Sequence, residues 1–133
     1  MTDFSYSIFI VDDDNEDVFT LQKIFAETSP EIILTHFDRG EDLLNHLKLD
    51  SGNSPGLILL DLNMPKMGGY ELLEILQQTP WAKIPVIVLT TSDRESDKVR
   101  SLALGAKLFQ TKLVKLDELR KWSLELKQLL EAG

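Results

Sequence analysis

Five polar side chains in this sequence have the chemistry needed for phosphoryl transfer, and each stands at or just after an apolar stretch. They are Asp12, Asp13, Asp61, Thr90 and Lys112. Three carboxylates in one cleft repel one another unless a cation lies among them. Oxygen donors in a chain without cysteine indicate Mg²⁺ or Mn²⁺ rather than Zn²⁺. An aspartate beside such a cation can act as a nucleophile toward a phosphoryl group, and a hydroxyl and an ammonium group nearby would stabilise the transferred oxygens.

The stretch LILLDLNMP at 57–65 is the one that the rest of the chain would have to position. Four apolar residues run directly into Asp61, and a turn-forming cluster at 53–56 precedes them. A short unbroken apolar run bounded by turn residues predicts a strand buried on both faces. In open α/β sheets ligands bind at the carboxyl ends of the strands, so Asp61 is expected at that edge. The simpler alternative is an acid that caps a turn.

Segments rich in β-branched and aromatic residues predict five strands, at 6–11, 32–37, 57–60, 85–90 and 107–111. Apolar residues at helical spacing follow each strand and predict five helices. The first helix is expected to begin at an N-cap on Asp14 or Asn15 and to end near 29–30. The second is expected to end near 51–52, and the third before Pro80.

The last two helices are marked by further apolar residues. The fourth is predicted to begin at 92–94, to carry Val99, Leu102 and Ala103 on its inner face, and to stop at Gly105. The fifth carries a longer stripe, made of Leu116, Leu119, Trp122, Leu126, Leu129 and Leu130.

Strands that alternate with helices predict a parallel sheet with helices on both faces and right-handed crossovers. The fold class is therefore α/β, an open doubly wound sheet. The fifth strand is shorter and more polar than the others, which predicts that it lies at an edge. In a parallel sheet all carboxyl ends lie on one side, so this fold would bring the five polar groups together.

Taken singly, each group also has an ordinary structural explanation. The acidic run from Asp12 could be the solvated start of a helix, Thr90 could cap the fourth helix, and Lys112 could be an exposed edge-strand lysine. Asp17 stands where an EF-hand loop requires glycine, which argues against that calcium motif. Both histidines and both tryptophans are interpreted as structural. The prediction therefore depends on the conjunction of acids, hydroxyl and ammonium at separate strand ends.

Composition narrows the class of protein further. The chain has 133 residues and a net charge of −8, which suits one domain and argues against a nucleic-acid or anionic-membrane surface. The first residues lack the pattern of a signal peptide, and no apolar run approaches the roughly 20 residues of a membrane helix. The expectation is a cytoplasmic protein consisting of one domain over 1–133.

Four stretches together resemble the response-regulator receiver domains of bacterial two-component signalling. They are Val11-Asp12-Asp13, the run 61–65 with Met67-Gly68-Gly69, the strand 85–90, and Gly105-Ala106 followed by Lys112. They occur in the family's order over nearly the whole chain. The resemblance implies a flavodoxin-like, CheY-like fold with five strands in the order 2-1-3-4-5. It also implies a phosphoacceptor protein rather than an enzyme, with at most slow autodephosphorylation.

The resemblance further implies roles for individual residues. Asp61 would accept a phosphoryl group from a phosphohistidine on a sensor histidine kinase. Asp13, Asp61 and the backbone carbonyl of Asn63 would ligate Mg²⁺ or Mn²⁺, and Asp12 would hold a metal-bound water.

The remaining roles implied by the resemblance concern a switch. Thr90 would hydrogen-bond the phosphoryl oxygens, Lys112 would pair with one of them, and Phe109 stands where the family keeps an aromatic whose rotamer reports activation. Phosphorylation adds about −1.5 to −2 charges, and inward rotation of Phe109 would remodel the face of the fourth helix, fifth strand and fifth helix.

A narrower resemblance concerns the stand-alone regulators, including those paired with bacterial phytochromes. It depends on the stretch VLTTS at 88–92 and on the lack of a DNA-binding extension. The expected output is therefore a downstream protein target or a second copy of the chain. A candidate patch for a homodimer consists of Leu113, Leu116, Trp122 and Leu124.

Two residues depart from the family pattern. Leu113 follows Lys112 where the family usually has a proline with a cis peptide bond, and a non-proline cis bond costs about 2.5–4 kcal/mol. The loop is therefore expected to be trans, with Lys112 aimed differently. Thr91 follows Thr90 where the family often has a smaller residue. Its bulk predicts slow loss of the phosphoryl group.

Two other functions remain open from the sequence. The first is a pseudo-receiver, a binding module with the fold but without phosphorylation. The second is a haloacid-dehalogenase-like phosphohydrolase, which also forms an aspartyl phosphate. That family needs an acid two residues after its nucleophile and places the nucleophile on the first strand. Here Asn63 occupies the first position, and Asp61 follows the third predicted strand.

Overall fold

The computed structural model describes residues 6–49 and 54–132, and the five predicted strands form one parallel sheet. The strands are β1 (Ser7–Val11), β2 (Ile33–Phe37), β3 (Leu57–Leu60), β4 (Val86–Thr90) and β5 (Leu108–Thr111). All four pairings are parallel, and the order is β2-β1-β3-β4-β5. The predicted doubly wound sheet, its strand order and the edge position of the fifth strand are confirmed.

Five helices connect and follow the strands. They are α1 (Asn15–Thr28), α2 (Gly40–Leu49), α3 (Gly69–Gln77), α4 (Glu95–Ala103) and α5 (Leu116–Ala132), and a short 3₁₀ helix at Pro80–Lys83 follows α3. Asp14 is the N-cap of α1, and its side chain accepts from the backbone N–H groups of Glu16 and Asp17. The end predicted for the second helix, at 51–52, and residue 53 of the loop before β3 lie outside the described residues. None of the helices that are described combines the length and the apolar character that crossing a membrane requires.

The sheet separates two apolar layers, which explains why its central strands are apolar without interruption. One layer packs α1 and α5 against one face, and Trp122 and Leu126 belong to it. The prediction of Trp122 as part of a surface patch is therefore wrong, because this residue is only 8% exposed. The other packs α2 and α3 against the opposite face. All four residues of β3 are buried, so this strand and the acid that follows it are held from both sides.

The prediction for the inner face of α4 is wrong. Val99 and Leu102 are 57% and 40% exposed, and Ala103 is exposed as well. The helix instead turns Ser101 toward the interior, as its single buried residue. At 3.6 residues per turn, Val99 and Leu102 lie about 200° and 100° around the helix from Ser101, so they point away from the core. The predicted stop is confirmed, because Gly105 follows the helix with a φ of +110°.

Candidate functional site

Three carboxylates predicted to meet at the carboxyl edge of the sheet do meet there. Asp12 and Asp13 follow β1, and Asp61 follows β3. One carboxylate oxygen from each lies within 4.8 Å of the others. Asp12 and Asp61 are buried, whereas Asp13 is exposed. The cluster therefore has a buried floor and an open side.

Backbone hydrogen bonds extend the sheet one residue beyond the strands and so fix the two buried acids. Asp61 donates its N–H to the carbonyl oxygen of Val11 at 3.0 Å, and Asp12 donates to that of Phe37 at 3.0 Å. One carboxylate oxygen of Asp12 also accepts the N–H of Asp14 at 2.9 Å. The orientation of the Asp12 carboxylate is thus tied to the capped start of α1.

Gly69 lets the loop after Asp61 fold closely against the strand end. A Cβ atom at Gly69 would lie 2.5 Å from the carbonyl oxygen of Asp61 and 2.6 Å from Cα of Leu62. No side chain fits at these distances. Its backbone N–H donates to the carbonyl oxygen of Leu62 at 3.1 Å, which joins the start of α3 to the residue after the acid.

The surroundings of Asp61 disfavour its ionised form when no cation is bound, which raises its pKa. Burial and the negative charge of Asp12 raise the pKa of Asp61 to about 6, although Lys112, the N–H of Asn63 and the hydroxyl of Thr90 act in the opposite direction. The Asn63 N–H lies 3.3 Å from one carboxylate oxygen of Asp61. A bound cation would relieve the repulsion between the two buried acids.

Thr90 lies at the carboxyl end of β4 and is fully buried. Its hydroxyl oxygen accepts from the side-chain amide of Asn63 at 3.4 Å and from the N–H of Ser92 at 3.4 Å. The structure gives the N-cap position of α4 to Arg94, so Thr90 is not the cap of that helix. The hydroxyl is instead directed toward the Asp61 side of the sheet edge.

Lys112 reaches into the acid cluster from the end of β5. Its backbone N–H donates to the carbonyl oxygen of Thr90 at 2.7 Å. Its side-chain Nζ lies 2.8 Å from a carboxylate oxygen of Asp12, 2.7 Å from one of Asp17 and 3.7 Å from one of Asp61. The interpretation of Lys112 as an exposed edge lysine is therefore wrong. Burial alone would lower its pKa, but hydrogen bonds to Asp12 and Asp17 outweigh burial and hold the pKa above its usual value.

The peptide bond between Lys112 and Leu113 is trans, as are all those that the structure describes. The expectation for this loop is confirmed. The lysine still points into the cluster, but its two short contacts are with Asp12 and Asp17 rather than with Asp61.

Phe109 is partly buried and packs against the apolar layer that contains α2 and α3. It pairs with Val88 in the sheet, while Thr111 pairs with Thr90. Because alternate residues of a strand share a face, Phe109 and Thr90 lie on the same face of the sheet, on neighbouring strands. This placement is compatible with the coupling between these two residues that the family resemblance implies.

One residue of the site, Asp17, was not predicted from the sequence. Asp17 was considered only as an obstacle to a calcium motif, yet it contacts Lys112. A signal was present, since Asp17 precedes the buried Leu21 by four residues and so lies on the same side of α1. His36 was interpreted as structural, and its Nε2 lies 2.7 Å from the backbone carbonyl oxygen of Asp12, where it supports the loop that carries the acids. His46 is structural, packed against Phe9 and Phe37.

A second polar cluster, around Asp97 of α4, holds the loop between β4 and α4. The Asp97 carboxylate accepts from the hydroxyls of Ser92 and Tyr70, both at 2.5 Å, and from Nε of Arg94 at 3.2 Å. Hydrogen bonds from Ser92 and then from Tyr70 are the largest causes that hold the pKa of Asp97 below its usual value. The residues directly after Thr90 are thereby tied to α3 and α4.

The donor set at the sheet edge fits a hard divalent cation. It consists of carboxylate oxygens from three aspartates, and the chain has no cysteine thiol. Oxygen ligands of this kind are those that Mg²⁺ and Mn²⁺ prefer. In the described part of the chain, the three acids outnumber the one ammonium group found among them, that of Lys112, so a cation would offset their excess negative charge. Asp12, Asp13 and Asp61 are therefore suited to hold such an ion.

Comparisons with known proteins find relatives that match most of this chain. The family model described as the response regulator receiver domain matches residues 8–123. Response regulator Rcp1 of Synechocystis is 34% identical over 119 residues, which cover 86% of this chain and 81% of Rcp1. PhoP of Bacillus subtilis, an alkaline phosphatase synthesis regulator, is 37% identical over 103 residues. Those residues are 77% of this chain but 41% of PhoP, so the chain spans less than half the length of this relative.

Several solved structures are similar over nearly the whole chain, RcpA and Rcp1 among them. The phosphorylated cyanobacterial phytochrome response regulator RcpA superimposes with a TM-score of 0.81 at 30% identity, covering 93% of this chain and 92% of RcpA. The Mn²⁺-bound form of Rcp1 superimposes with a TM-score of 0.77 at 33% identity, covering 91% of both chains.

Proposed function

Because the chain belongs to the response regulator receiver family, we propose that it is a phosphorylatable signalling module whose acceptor is Asp61. The observation that carries the proposal is the position of this carboxylate. Asp61 is buried at the end of the central strand, with oxygens of Asp12 and Asp13 within 4.8 Å. The intact acid set supports this function over that of a binding module that only shares the fold.

The proposed reaction is a phosphoryl transfer from a phosphohistidine of a sensor histidine kinase. A carboxylate oxygen of Asp61 forms the new bond to phosphorus while the bond from phosphorus to the histidine nitrogen breaks, and the imidazole leaves. Catalysis of this step is mainly positioning and charge stabilisation. In this role the Thr90 hydroxyl hydrogen-bonds the transferred oxygens and the Lys112 ammonium group pairs with one of them.

The proposed cofactor is Mg²⁺, with Mn²⁺ as an alternative. Asp13, Asp61 and the backbone carbonyl of Asn63 would hold the ion, and Asp12 would hold one of its waters. When bound, the ion supplies positive charge that offsets the repulsion between the incoming phosphoryl group and the acids. The Mn²⁺-bound form of Rcp1 supports a divalent ion in this family.

The proposed output is a change in the face formed by α4, β5 and α5. Thr90 and Phe109 lie on one face of neighbouring strands, so a movement of Thr90 toward the phosphoryl group would open space that the ring of Phe109 can fill. Val99, Leu102 and Leu108 are exposed apolar residues on this side of the molecule. A downstream protein or a second copy of the chain would cover them in the cytoplasm. The similarity to RcpA supports a kinase of the phytochrome type.

Incubation with acetyl phosphate and Mg²⁺, followed by intact-protein mass spectrometry, tests the proposal. The expected result is one phosphoryl group per chain in the original protein and none in Asp61→Asn. Chelation of the metal should abolish labelling. A chain that takes up no phosphate would instead be a binding module, and one that releases many equivalents of phosphate without retaining any would be a phosphohydrolase. If Asp61→Asn still binds a partner in the same regulated way as the original protein, the proposed switch is refuted.

A further inference from the structure

The ammonium group of Lys112 is shared unequally among three carboxylates. Its Nζ lies at hydrogen-bond distance from Asp17 and Asp12, 2.7 and 2.8 Å away, but 3.7 Å from Asp61. An ammonium group has three N–H donors, and two of them are directed to these short contacts. In this arrangement the lysine lies beside Asp61 without a hydrogen bond to it.

The two acids that hold Lys112 differ in their surroundings. The side chain of Asp12 is 3% exposed, whereas that of Asp17 is 43% exposed. Asp12 belongs to the floor of the acid cluster, next to Asp61. Asp17 belongs to the first turn of α1, at the rim. It is not a member of the three-acid group suited to a cation, so its contact with the lysine has no evident part in metal binding.

We propose that Asp17 is a positioning residue that holds Lys112 away from Asp61 and thereby slows the arrival of a phosphoryl group there. This inference rests on the proposed function of Asp61 as phosphoacceptor. Because Nζ lies 3.7 Å from Asp61, the ammonium has to move toward that carboxylate to pair closely with an oxygen of the incoming group, and this movement lengthens one of its two short contacts. The contact with Asp17 is the one surrendered, because its partially exposed carboxylate is resolvated by water when the lysine leaves.

The physical chemistry of the pair sets the size of the effect. A phosphoryl group brings about −1.5 to −2 charges, which outweigh the single charge of Asp17 in competition for the lysine. An ion pair with one partly exposed partner contributes only modestly. Removal of the Asp17 charge should therefore accelerate phosphorylation by about two- to fivefold rather than by orders of magnitude.

The experiment compares three variants with the original chain. Asp17→Asn removes the charge that holds Lys112 and keeps the side chain's size, whereas Asp17→Glu keeps the charge. Glu16→Gln removes a carboxylate from the same first turn of α1, where no ion pair with Lys112 is found among the described residues. It therefore controls for the change in net charge and in the field at the helix start.

Initial rates of labelling by subsaturating acetyl phosphate with Mg²⁺ are measured for all four proteins. Asp17→Asn should be labelled about two to five times faster than the original chain, while Asp17→Glu and Glu16→Gln stay close to it. An unchanged or lower rate in Asp17→Asn would overturn the proposal. So would an equal acceleration in Glu16→Gln, which would indicate a general effect of charge on the anionic donor.

Mn²⁺ affinity, measured from the electron paramagnetic resonance of the free ion, gives a second readout. Asp17→Asn and Glu16→Gln should lower it equally and slightly, because each removes one nearby charge. A much larger loss in Asp17→Asn would make Asp17 a metal-binding residue and would also overturn the proposal. Absence of any labelling in the original chain would refute the phosphoacceptor role itself. Normal labelling of the original chain with an unaltered rate in Asp17→Asn would refute only the role of Asp17.

Discussion

Replacement of Asp61 by asparagine should stabilise the metal-free protein, although it removes the proposed phosphoacceptor. Burial and the charge of Asp12 raise the pKa of Asp61 from 3.8 to about 6. A shift of this size corresponds to at most about 3 kcal/mol against the ionised form. Solvent at the open side of the cluster reduces that value, and we expect about 1–2 kcal/mol of added stability in Asp61→Asn at pH 7.5. For a domain of this size the corresponding rise in Tm is about 3–8 °C.

The gain should depend on pH in a defined direction. Below pH 3.8, the pKa of Asp61 in the unfolded chain, this side chain is protonated in both states and its burial costs no charge desolvation. The stability that protonated Asp61 contributes is lost as the pH rises through about 6, its pKa in the folded protein. The difference between the variant and the original protein should therefore be largest above pH 7 and should shrink toward pH 4. Denaturant unfolding in EDTA from pH 4 to above pH 7 measures this difference in unfolding free energy.

A matched control and a metal titration complete this test. Glu125→Gln removes a carboxylate from an exposed position of α5 and should leave stability unchanged. Saturating Mg²⁺ should reverse the order, because a ligand that binds only the folded original protein stabilises it. If Asp61→Asn is less stable than the original protein in EDTA at pH 7.5, repulsion and burial do not destabilise the ionised Asp61 carboxylate and the reasoning is refuted.

Three further predictions concern residues of the site and of the polar cluster around Asp97. Thr91→Ala should lose its phosphoryl group several times faster than the original protein after the donor is removed, because the smaller side chain admits water to the phosphorus; mass spectrometry follows the loss. Gly69→Ala should cost about 1–3 kcal/mol of unfolding free energy, since its Cβ would lie 2.5 Å from the carbonyl oxygen of Asp61. Asp97→Asn should lower the Tm at pH 7, because Ser92 and its neighbours would lose a charged acceptor. That loss should fade on acidification, since hydrogen bonds hold the pKa of Asp97 low and its contribution disappears as the pH falls through that lowered value.

Each of these has a control from the same part of the molecule. Thr20→Ala changes another threonine that lines the cavity beside Thr91, a space of about 410 Å³, and should not alter the lifetime of the phosphoryl group. Gly68→Ala should be tolerated, because its nearest atom would lie 3.9 Å from the new Cβ. Glu95→Gln removes an acid from the first turn of α4 and should lower the Tm less than Asp97→Asn does. Equal effects in a variant and its control would refute the corresponding prediction.

Local sequence patterns were sufficient for most of the fold. The unbroken apolar run at 57–60 predicted a strand buried on both faces, and β3 is buried at all four positions. Asp14 was one of two residues predicted as the N-cap of α1, because a side-chain oxygen must satisfy the free N–H groups at a helix start, and the structure assigns the cap to it. These patterns succeed because they report interactions among residues close together in the chain.

The inner face of α4 shows where local patterns fail. Val99 and Leu102 are apolar and nevertheless exposed, while Ser101 is buried. Periodicity identifies a helix but assumes that its apolar side faces inward. An apolar helix face that another molecule covers has the same spacing of apolar residues as one that faces the core. The packing of neighbouring elements therefore decides which side of the helix faces inward.

The sequence by itself determined that acids, a hydroxyl and an ammonium group stand at the ends of parallel strands, because the alternation of strands and helices limits the possible topologies to very few. Only the tertiary structure decided which of these groups contact one another. Lys112 bonds to Asp17, a residue 95 positions away in the chain, at a distance set by how α1 packs against the sheet. Contacts of this kind depend on side-chain distances across the whole fold, and no local pattern in the chain encodes them.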